Sequence, residues 1–254
     1  MRGRAEKAGV RHRVGGAAEE VRSAGAVVRA AGVVVEVPGR RLADGLDLEL
    51  GAGEAVAVMG PSGSGKTTVL NALAGLVPLS GGSVAIAGEP ISELSADRAA
   101  ALRLAHIGMV FQFGELVPEL SVRENVALPA LFAGRGDATG RADALLERVG
   151  LAGYGARAPE ELSGGEAQRV AIARALVCGP RVVLADEPTG ALDEDNARRV
   201  TGVLLRSCRE QDTALLVATH DAAVAAAMDR TLLLRGGRLR PRPSTAAPGA
   251  GEGR

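Results

Sequence analysis

The stretch AVAVMGPSGSGKTT, residues 55–68, decides the fold of this 254-residue chain. Its first part, Ala55–Met59, is an uninterrupted apolar run of the kind found in strands that are buried on both faces. A loop of the form G-x-x-x-x-G-K-T follows, and the apolar positions after Lys66 recur with helical spacing. Because a glycine-rich loop between a strand and a helix binds phosphate through its backbone N–H groups, the sequence predicts a phosphate-binding loop here.

The residue types of the loop fit this chemistry. Gly63 and Gly65 allow the backbone to curl inward, Lys66 adds a compact positive charge for the β- and γ-phosphates, and the Thr67 hydroxyl can ligate Mg²⁺. A plain Gly/Ser-rich turn is the alternative, and the flanking strand and helix argue against it. The expected nucleotide-binding residues are Gly60, Pro61, Ser62, Gly63, Ser64, Gly65, Lys66, Thr67 and Thr68.

A second apolar strand ends in two carboxylates, in the sequence RVVLADEP at residues 181–188. In an open parallel sheet the ligand site lies beyond the carboxyl ends of the strands, which places Asp186 and Glu187 beside the phosphate loop. Side chains alternate along a strand, so the two can differ in task. We expect Asp186 to hold Mg²⁺ through its water shell and Glu187 to polarise the attacking water; an acidic turn capping the next helix is the alternative.

The alternation of strands and helices predicts an α/β fold of the P-loop NTPase (RecA-like) type, with a mostly parallel sheet and helices on both faces. A further buried strand is expected at 215–218. Residues 27–50 predict a small antiparallel sheet of short strands broken at Pro38-Gly39. The Pro- and Gly-rich segment at about 114–165 predicts a helical subdomain.

Composition sets the limits of the domain and its surroundings. We expect a flexible extension at 1–24, the working domain at 25–236 and a disordered tail at 237–254. The formal net charge is zero, Trp is absent and Tyr occurs once, so the chain has no footprint of a nucleic-acid binder. It contains neither a membrane-spanning stretch nor a signal-peptide core, which predicts a cytoplasmic protein whose membrane role needs a partner. Cys178 and Cys208 indicate neither a disulfide nor zinc.

A third motif, LSGGEAQR at residues 162–169, leads into a strongly apolar helix. Ser163 followed three residues later by Glu166 fits a capping box, which alone could explain both residues. Gly164 and Gly165 are harder to explain in this way, because glycine is costly in a first helical turn unless a backbone or a ligand must come close. From the residues alone, the structural and the functional interpretations remain equally open.

Together these motifs resemble the ATP-binding-cassette (ABC) ATPases over about residues 26–236. The order GPSGSGKTT, Gln112, LSGGE, VVLADEP, Asp193 and His220 is that of the family, and LSGGE shortly before the acidic strand is highly specific to it. The resemblance implies that Gln112 senses Mg²⁺ and the γ-phosphate, and that His220 contacts the γ-phosphate and orients the water. Taken singly, Gln112 could be an exposed strand end and His220 a solvated loop histidine.

The resemblance also implies a head-to-tail dimer, because each chain carries one phosphate loop and one LSGGE motif. The residues expected to complete the second copy's nucleotide site are Ser163, Gly164, Gly165 and Glu166. Asp193 is expected at the dimer seam, although a helix cap is its plain alternative. ATP binding would close such a dimer and hydrolysis would reopen it.

The stretch at 110–126, with PTGALD at 188–193, looks like the ATPases of the lipoprotein-release and macrolide-export type. That group drives a separate integral membrane permease, which implies a peripheral position on the inner face of the membrane and export or extraction as the outcome. The segment 113–131 would by analogy receive the permease. An alternative is an ABC ATPase that drives a cell-division complex without cargo; DNA-repair and ribosome-associated ATPases are disfavoured, because their usual insertions and second cassettes are not seen.

One family feature is missing from the sequence. An aromatic residue that stacks on adenine is expected near the end of the first strand, where this chain has Val37. The only tyrosine, Tyr154, lies in the helical segment and cannot replace it. Since base stacking on an aromatic side chain contributes about 1–3 kcal/mol, we expect weaker ATP binding or poorer discrimination against other nucleoside triphosphates.

Overall fold

The computed structural model describes residues 25–242 as an α/β fold built on two sheets. The nine strands of this described part are β1 (Ala26–Val37), β2 (Arg40–Gly51), β3 (Ala55–Met59), β4 (Gly81–Ile86), β5 (Ile107–Val110), β6 (Val182–Asp186), β7 (Ala214–Thr219), β8 (Arg230–Arg235) and β9 (Arg238–Pro241). Its α-helices are α1 (Lys66–Leu73), α2 (Ala96–His106), α3 (Val122–Phe132), α4 (Ala138–Arg148), α5 (Gly164–Leu176), α6 (Glu194–Glu210) and α7 (Ala222–Ala226). The expected N-terminal extension, 1–24, lies outside the described residues.

The larger sheet has the strand order β5-β6-β7-β3-β8-β9 and is parallel except for β9. The apolar runs that predicted strands form β3, β6 and β7, and their side chains are buried almost throughout. Strands covered on both faces need apolar residues at every position, which is why the sequence shows no alternation there. The prediction of a mostly parallel sheet is confirmed.

Alternate residues of the parallel strands enter two separate hydrophobic cores. On β6, Val183 and Ala185 pack with α3, α4, α5 and α6, whereas Val182 and Leu184 pack with α1, α2 and the strands β1 and β2. Because side chains on a strand point to opposite faces in turn, one short strand contributes to both cores. The larger sheet therefore separates a helical side from a side that carries the antiparallel sheet.

The smaller sheet has the order β2-β1-β4, and its strands are antiparallel. The sequence predicts short strands here, but β1 and β2 each contain 12 residues. Register shifts along the pair let these long strands bend without ending. The expected break at Pro38-Gly39 is the tight turn between them, and Gly39 there has a φ of 75°, which favours glycine.

Helices α3 and α4 lie within the segment that the sequence predicts to be a helical subdomain. The loop before α3 is held by the buried Asn125, whose Oδ1 accepts from the Val117 N–H while its Nδ2 donates to the carbonyls of Val117, Leu120 and Ser121. A buried amide with this many partners fixes the loop without an unsatisfied polar group. Among residues 25–242, no helix combines the length and the apolar character needed to cross a bilayer.

The boundary set at residue 236 needs correction, because the chain stays in the sheet as far as Pro241. Gly236 and Gly237, with φ values of 57° and 75°, reverse the chain so that β9 pairs with β8. The Gly237 carbonyl also accepts from the Asp44 N–H at 2.9 Å, which ties this turn to β2. The composition that suggested a tail from residue 237 therefore includes the glycines of a hairpin; residues 243–254 lie outside the described part.

Candidate functional site

The phosphate loop joins β3 to α1 and ends in a helix N-terminus without a side-chain cap. Gly65 is the N-cap residue with a φ of 97°, and Gly63 has a φ of 72°, so both positions favour glycine. Since α1 lacks a side-chain acceptor at its first turn, its free N–H groups and its dipole remain available to an anion. A cavity of about 440 Å³ next to 61–64 is also lined by Arg40, Arg41 and Arg235, which favours a polyanion.

Lys66, the first residue of α1, is buried at the centre of the site. Its Nζ donates to the Gly60 carbonyl at 3.1 Å and lies 3.4 Å from Glu187 Oε1. The two charged side chains are only 9% and 16% exposed, so each depends on the other for compensation. The structure thus brings the loop lysine and the acidic residue that follows β6 together, as the sequence predicts for strand ends on one edge of a sheet.

Asp186 and Glu187 end β6 in different environments. Asp186 Oδ1 is buried and has no hydrogen-bond partner within the described residues, and burial raises the pKa of this carboxyl, with a hydrogen bond from Thr67 opposing the shift. Ser64 Oγ is buried without a partner as well. Orphaned oxygens beside a phosphate loop are the donor set that a hydrated Mg²⁺ and a phosphate would satisfy, so the residues present fit Mg²⁺-ATP.

Glu187 also contacts His220, which follows β7. Glu187 Oε2 accepts from the His220 N–H at 3.2 Å and lies 2.9 Å from His220 Nδ1. The Glu187 backbone has a φ of 43°, an unusual conformation for a non-glycine residue that is held by the hydrogen bond from its N–H to the Ala218 carbonyl. The side chain thereby lies between Lys66 and His220, with one oxygen toward each.

Gln112 lies just beyond the end of β5. A Cβ added to Gly190 would come within 2.9 Å of Gln112 Nε2, so the glutamine side chain packs on the loop that follows the acidic strand. This explains a glycine at 190, because any larger residue would displace the amide. The structure brings Gln112 to the edge of the site from a third strand.

The LSGGE motif forms the start of α5. Ser163 is the N-cap residue of a complete capping box with Glu166, and within residues 25–242 its hydroxyl hydrogen-bonds with Glu166 alone. The glycines have a packing reason: a Cβ on Gly164 would lie 3.3 Å from Leu192 Cδ2, and one on Gly165 would lie 3.2 Å from Asn196 Oδ1. The motif is therefore packed against the N-terminus of α6.

Asp193 is the N-cap residue of α6. Its Oδ1 accepts from the Asn196 N–H at 2.9 Å and its Oδ2 accepts from Asn196 Nδ2 at 2.7 Å. These bonds lower the pKa of the Asp193 carboxyl. The helix-cap interpretation therefore holds for Asp193 in the single chain, as it does for Ser163.

Sequence reasoning missed two sets of contacts around α5. Gln168 Nε2 donates to the Phe111 carbonyl at 2.8 Å, and Arg174 donates to the carbonyls of Gly114 and Glu115 at 2.6 and 2.7 Å, so α5 holds both sides of Gln112. The other set joins Tyr154 to Glu166. A polar residue inside the strongly apolar helix pattern was the only available signal for the first set, and none marked the second.

Comparisons with known proteins agree with this arrangement. A family profile described as ABC transporter matches residues 43–190. The lipoprotein-releasing system ATP-binding protein LolD of Hydrogenovibrio crunogenus is 51% identical over 195 residues, which cover 76% of this chain and 85% of that protein. The macrolide export ATP-binding/permease protein MacB 1 of Aeromonas hydrophila is 48% identical over 212 residues, which cover 80% of this chain and 33% of that longer protein.

A solved structure gives the same result at the level of the fold. A dimeric ATP-binding cassette in a post-hydrolysis state, bound to ADP and Pi, superposes with a TM-score of 0.75 at 35% identity over 84% of this chain and 96% of that one. The profile match contains the phosphate loop, the LSGGE motif and the acidic strand. This chain belongs to the ABC transporter family and is one of its ATPases.

Proposed function

We propose that this ATPase works as a homodimer that energises a separate integral membrane permease, for export or extraction, from the inner face of the cell membrane. The observation that carries the proposal is the convergence of Lys66, Glu187 and His220 on one phosphate loop, while Ser163 lies on a helix that makes no hydrogen bond to that loop within residues 25–242. A second copy is the simplest source of the missing contacts. The formal net charge of zero and the low aromatic content of the sequence argue against a nucleic acid as the partner.

Mg²⁺ fits the site through Thr67, Gln112 and Asp186, which would hold it directly or through water. When bound it supplies positive charge that neutralises the β- and γ-phosphate oxygens. The orphaned Asp186 Oδ1 supports this assignment, because a buried carboxylate oxygen without a donor is costly unless a cation or its water occupies the space.

The protein's own residues would perform hydrolysis as an in-line displacement. Glu187 takes a proton from water, the water oxygen bonds to the γ-phosphorus, and the bond from that phosphorus to the bridging oxygen breaks to release ADP. His220 holds the Glu187 carboxylate and the water in line. Lys66, whose Nζ lies 3.4 Å from Glu187 Oε1, would contact the β- and γ-phosphates.

A second copy would complete the site from the opposite face. Ser163, Gly164, Gly165 and Glu166 of that copy would meet the γ-phosphate, and Asp193 would lie at the seam. Their packing on one another at the starts of α5 and α6 supports joint movement as one surface. Closure would then require ATP, because phosphate forms part of the interface.

Replacing Glu187 with Gln tests both the chemistry and the dimer. We expect ATP binding to persist, turnover to fall by about 10²–10⁴-fold, and ATP to trap a dimer visible by light scattering. Glu147→Gln, on the exposed face of α4, is the matched control and should behave as wild type. Near wild-type hydrolysis by Glu187→Gln would remove Glu187 from its role, and a monomer in saturating ATP would refute the dimer.

The permease contact is proposed at 113–131 and the end of α3. Phe113, Leu131 and Phe132 are 72%, 59% and 75% exposed, an unusual display of large apolar side chains in a chain with few aromatics. Asn125 hydrogen-bonds α3 to Val117, so the loop before α3 and the helix itself are held together within the proposed contact segment. The printed names of the relatives, a lipoprotein-releasing system and a macrolide exporter, support export or extraction as the outcome.

The double variant Phe113→Asp/Phe132→Asp tests this contact. It should keep the ATPase rate of the isolated protein and lose the stimulation given by the reconstituted permease, because only the docking surface changes. Leu76→Asp, at another exposed apolar residue, is the control. Undiminished stimulation of the double variant would place the permease elsewhere.

A further inference from the structure

The Glu166 carboxylate collects three donors at the start of α5. Its Oε2 accepts from the Ser163 N–H and from the Ser163 hydroxyl, both at 2.8 Å, and its Oε1 accepts from the Tyr154 hydroxyl at 2.9 Å. The Tyr154 ring is itself fixed, because the Arg157 guanidinium lies 3.7 Å above its centre. A rigid phenol therefore holds the far side of the carboxylate that binds the LSGGE serine.

A second capping box in the same chain lacks this third donor. At the start of α3, Glu124 Oε2 accepts from the Ser121 N–H at 2.8 Å and from the Ser121 hydroxyl at 2.7 Å, which is nearly the same geometry. Helix capping alone is thus complete without a phenol. In the box with tyrosine the pKa of Glu166 falls to about 2, first through the Ser163 N–H and hydroxyl and then through Tyr154. The extra donor calls for an explanation beyond capping.

We propose that Tyr154 is a positioning residue that lets Ser163 exchange its hydrogen-bond acceptor from Glu166 to the γ-phosphate of the opposite copy. A hydroxyl has one hydrogen, and in the single chain Ser163 donates it to Glu166 Oε2. To reach phosphate, that hydrogen must leave the carboxylate. Tyr154 and the Ser163 N–H then remain as donors to the charge, so the carboxylate keeps its partners and its position.

Without the phenol, the Ser163 hydroxyl would be the only side-chain donor left on the carboxylate. The Glu166 carboxylate would then hold the Ser163 hydroxyl more tightly. If the hydroxyl left, the carboxylate would face the incoming triphosphate with too few hydrogen-bond donors. The cost should appear in ATP-dependent closure, since Glu166 neither transfers a proton nor forms or breaks a bond in the hydrolysis step proposed above. This inference rests on the proposed function, in which Ser163 of one copy meets the nucleotide of the other.

The test compares Tyr154→Phe, which removes one oxygen and keeps the ring, with Ser163→Ala and with Glu124→Gln at the second capping box. In a Glu187→Gln background, Tyr154→Phe should raise the ATP concentration for half-maximal dimerisation about fivefold to tenfold. With Glu187 intact, the same variant should raise the KM for ATP and leave kcat within about twofold. Glu124→Gln should change neither quantity. If Ser163→Ala blocks dimerisation but Tyr154→Phe leaves the ATP midpoint unchanged, the role of Tyr154 is overturned and the proposed dimer contact stands. If Ser163→Ala still dimerises, both the role of Tyr154 and the proposed dimer contact of Ser163 are overturned.

A double-mutant cycle separates this role from simple packing. In Glu166→Gln the charge is gone, so adding Tyr154→Phe should shift the midpoint less than twofold, whereas a structural role would give the same shift in both backgrounds. The contact itself has an optical signature, because the chain has one Tyr and no Trp. A carboxylate hydrogen-bonded to a phenol quenches its emission, so Glu166→Gln should brighten tyrosine fluorescence and Glu124→Gln should not. Equal emission would show that the contact is absent in solution and overturn the inference.

Discussion

Introducing an aromatic ring at residue 37 should tighten ATP binding and create a preference for adenine. Val37 is the last residue of β1, is 37% exposed, and pairs across the turn with Arg40. Arg40 Nη2 donates to the Gly63 carbonyl at 2.8 Å, so this hairpin touches the phosphate loop. A ring in place of Val37 would therefore stand beside a bound nucleotide, with room to adopt a stacking rotamer.

The magnitude follows from the stacking energy. A base stacked on an aromatic side chain gains about 1–3 kcal/mol, which corresponds to roughly 5- to 150-fold in Kd. Val37 lies at an exposed turn, and the lower half of this range applies because solvent competes there. We expect Val37→Tyr to lower the Kd for ATP about tenfold.

The measurement is a competition titration of ATP and GTP against a fluorescent nucleotide, in a Glu187→Gln background that prevents turnover. Val37→Leu is the control, because it adds apolar surface without a ring. With Val37 present, ATP and GTP should bind within about tenfold of each other, since no ring reads the base. The reasoning fails if the chain with Val37 already prefers ATP by more than about tenfold, or if Val37→Tyr and Val37→Leu give the same Kd.

Three further predictions concern stability. The wild-type protein should be more stable than Glu166→Gln at neutral pH, and this difference should decline as pH falls from about 4.5 toward 2, because the pKa of Glu166 is lowered to about 2 in the folded state. Thermal unfolding of both proteins from pH 7 to 3 measures the difference. A difference that stays constant with pH would contradict the prediction. Arg174→Lys should lower the free energy of unfolding, measured in urea, by about 1.5–3 kcal/mol, because an ammonium would replace a guanidinium that donates to the carbonyls of Gly114 and Glu115. An unchanged urea midpoint would count against this. Gly108→Ala should cost about 1–3 kcal/mol in the same assay, because its Cβ would collide with the Ala175 carbonyl oxygen. Gly136→Ala, whose Cβ would meet nothing within 4 Å, should cost far less, and equal costs would refute the packing argument.

The parts of the fold that sequence predicted best are those in which a local pattern has one physical solution. Strand β6 is apolar at its first four positions, ends at Asp186 and is followed directly by Glu187, and this pattern is that of a strand in a sheet covered on both faces. The hairpin at 236–237 was misjudged because two glycines and nearby prolines look the same in a tail and in a tight turn. The pairing of β9 with β8 distinguishes the two, as does the bond between Asp44 and Gly237, which are distant in sequence.

In the site too, features built from contiguous residues could be predicted from the sequence, and contacts between distant residues could not. The strand, loop and helix around residues 60–68 could be predicted because these residues are contiguous, whereas the contact of Glu187 with His220 depends on β6 and β7 lying side by side. The roles of Ser163 and Asp193 are harder to predict. Each caps a helix with ordinary geometry, so neither the sequence nor the single chain separates a cap from a ligand contact.

The division of the interior into two cores by one sheet has a mechanical consequence. A pull on α3 and α4 would act first on the core that contains Val183, and we expect it to reach the strands β1 and β2 through the larger sheet that lies between the two cores. Because close-packed interiors resist compression, we expect the strands of the larger sheet to move together as a rigid body. If the permease docks at 113–131 as proposed, a push on α3 would turn the larger sheet, and the end of β6 that carries Asp186 would move with it.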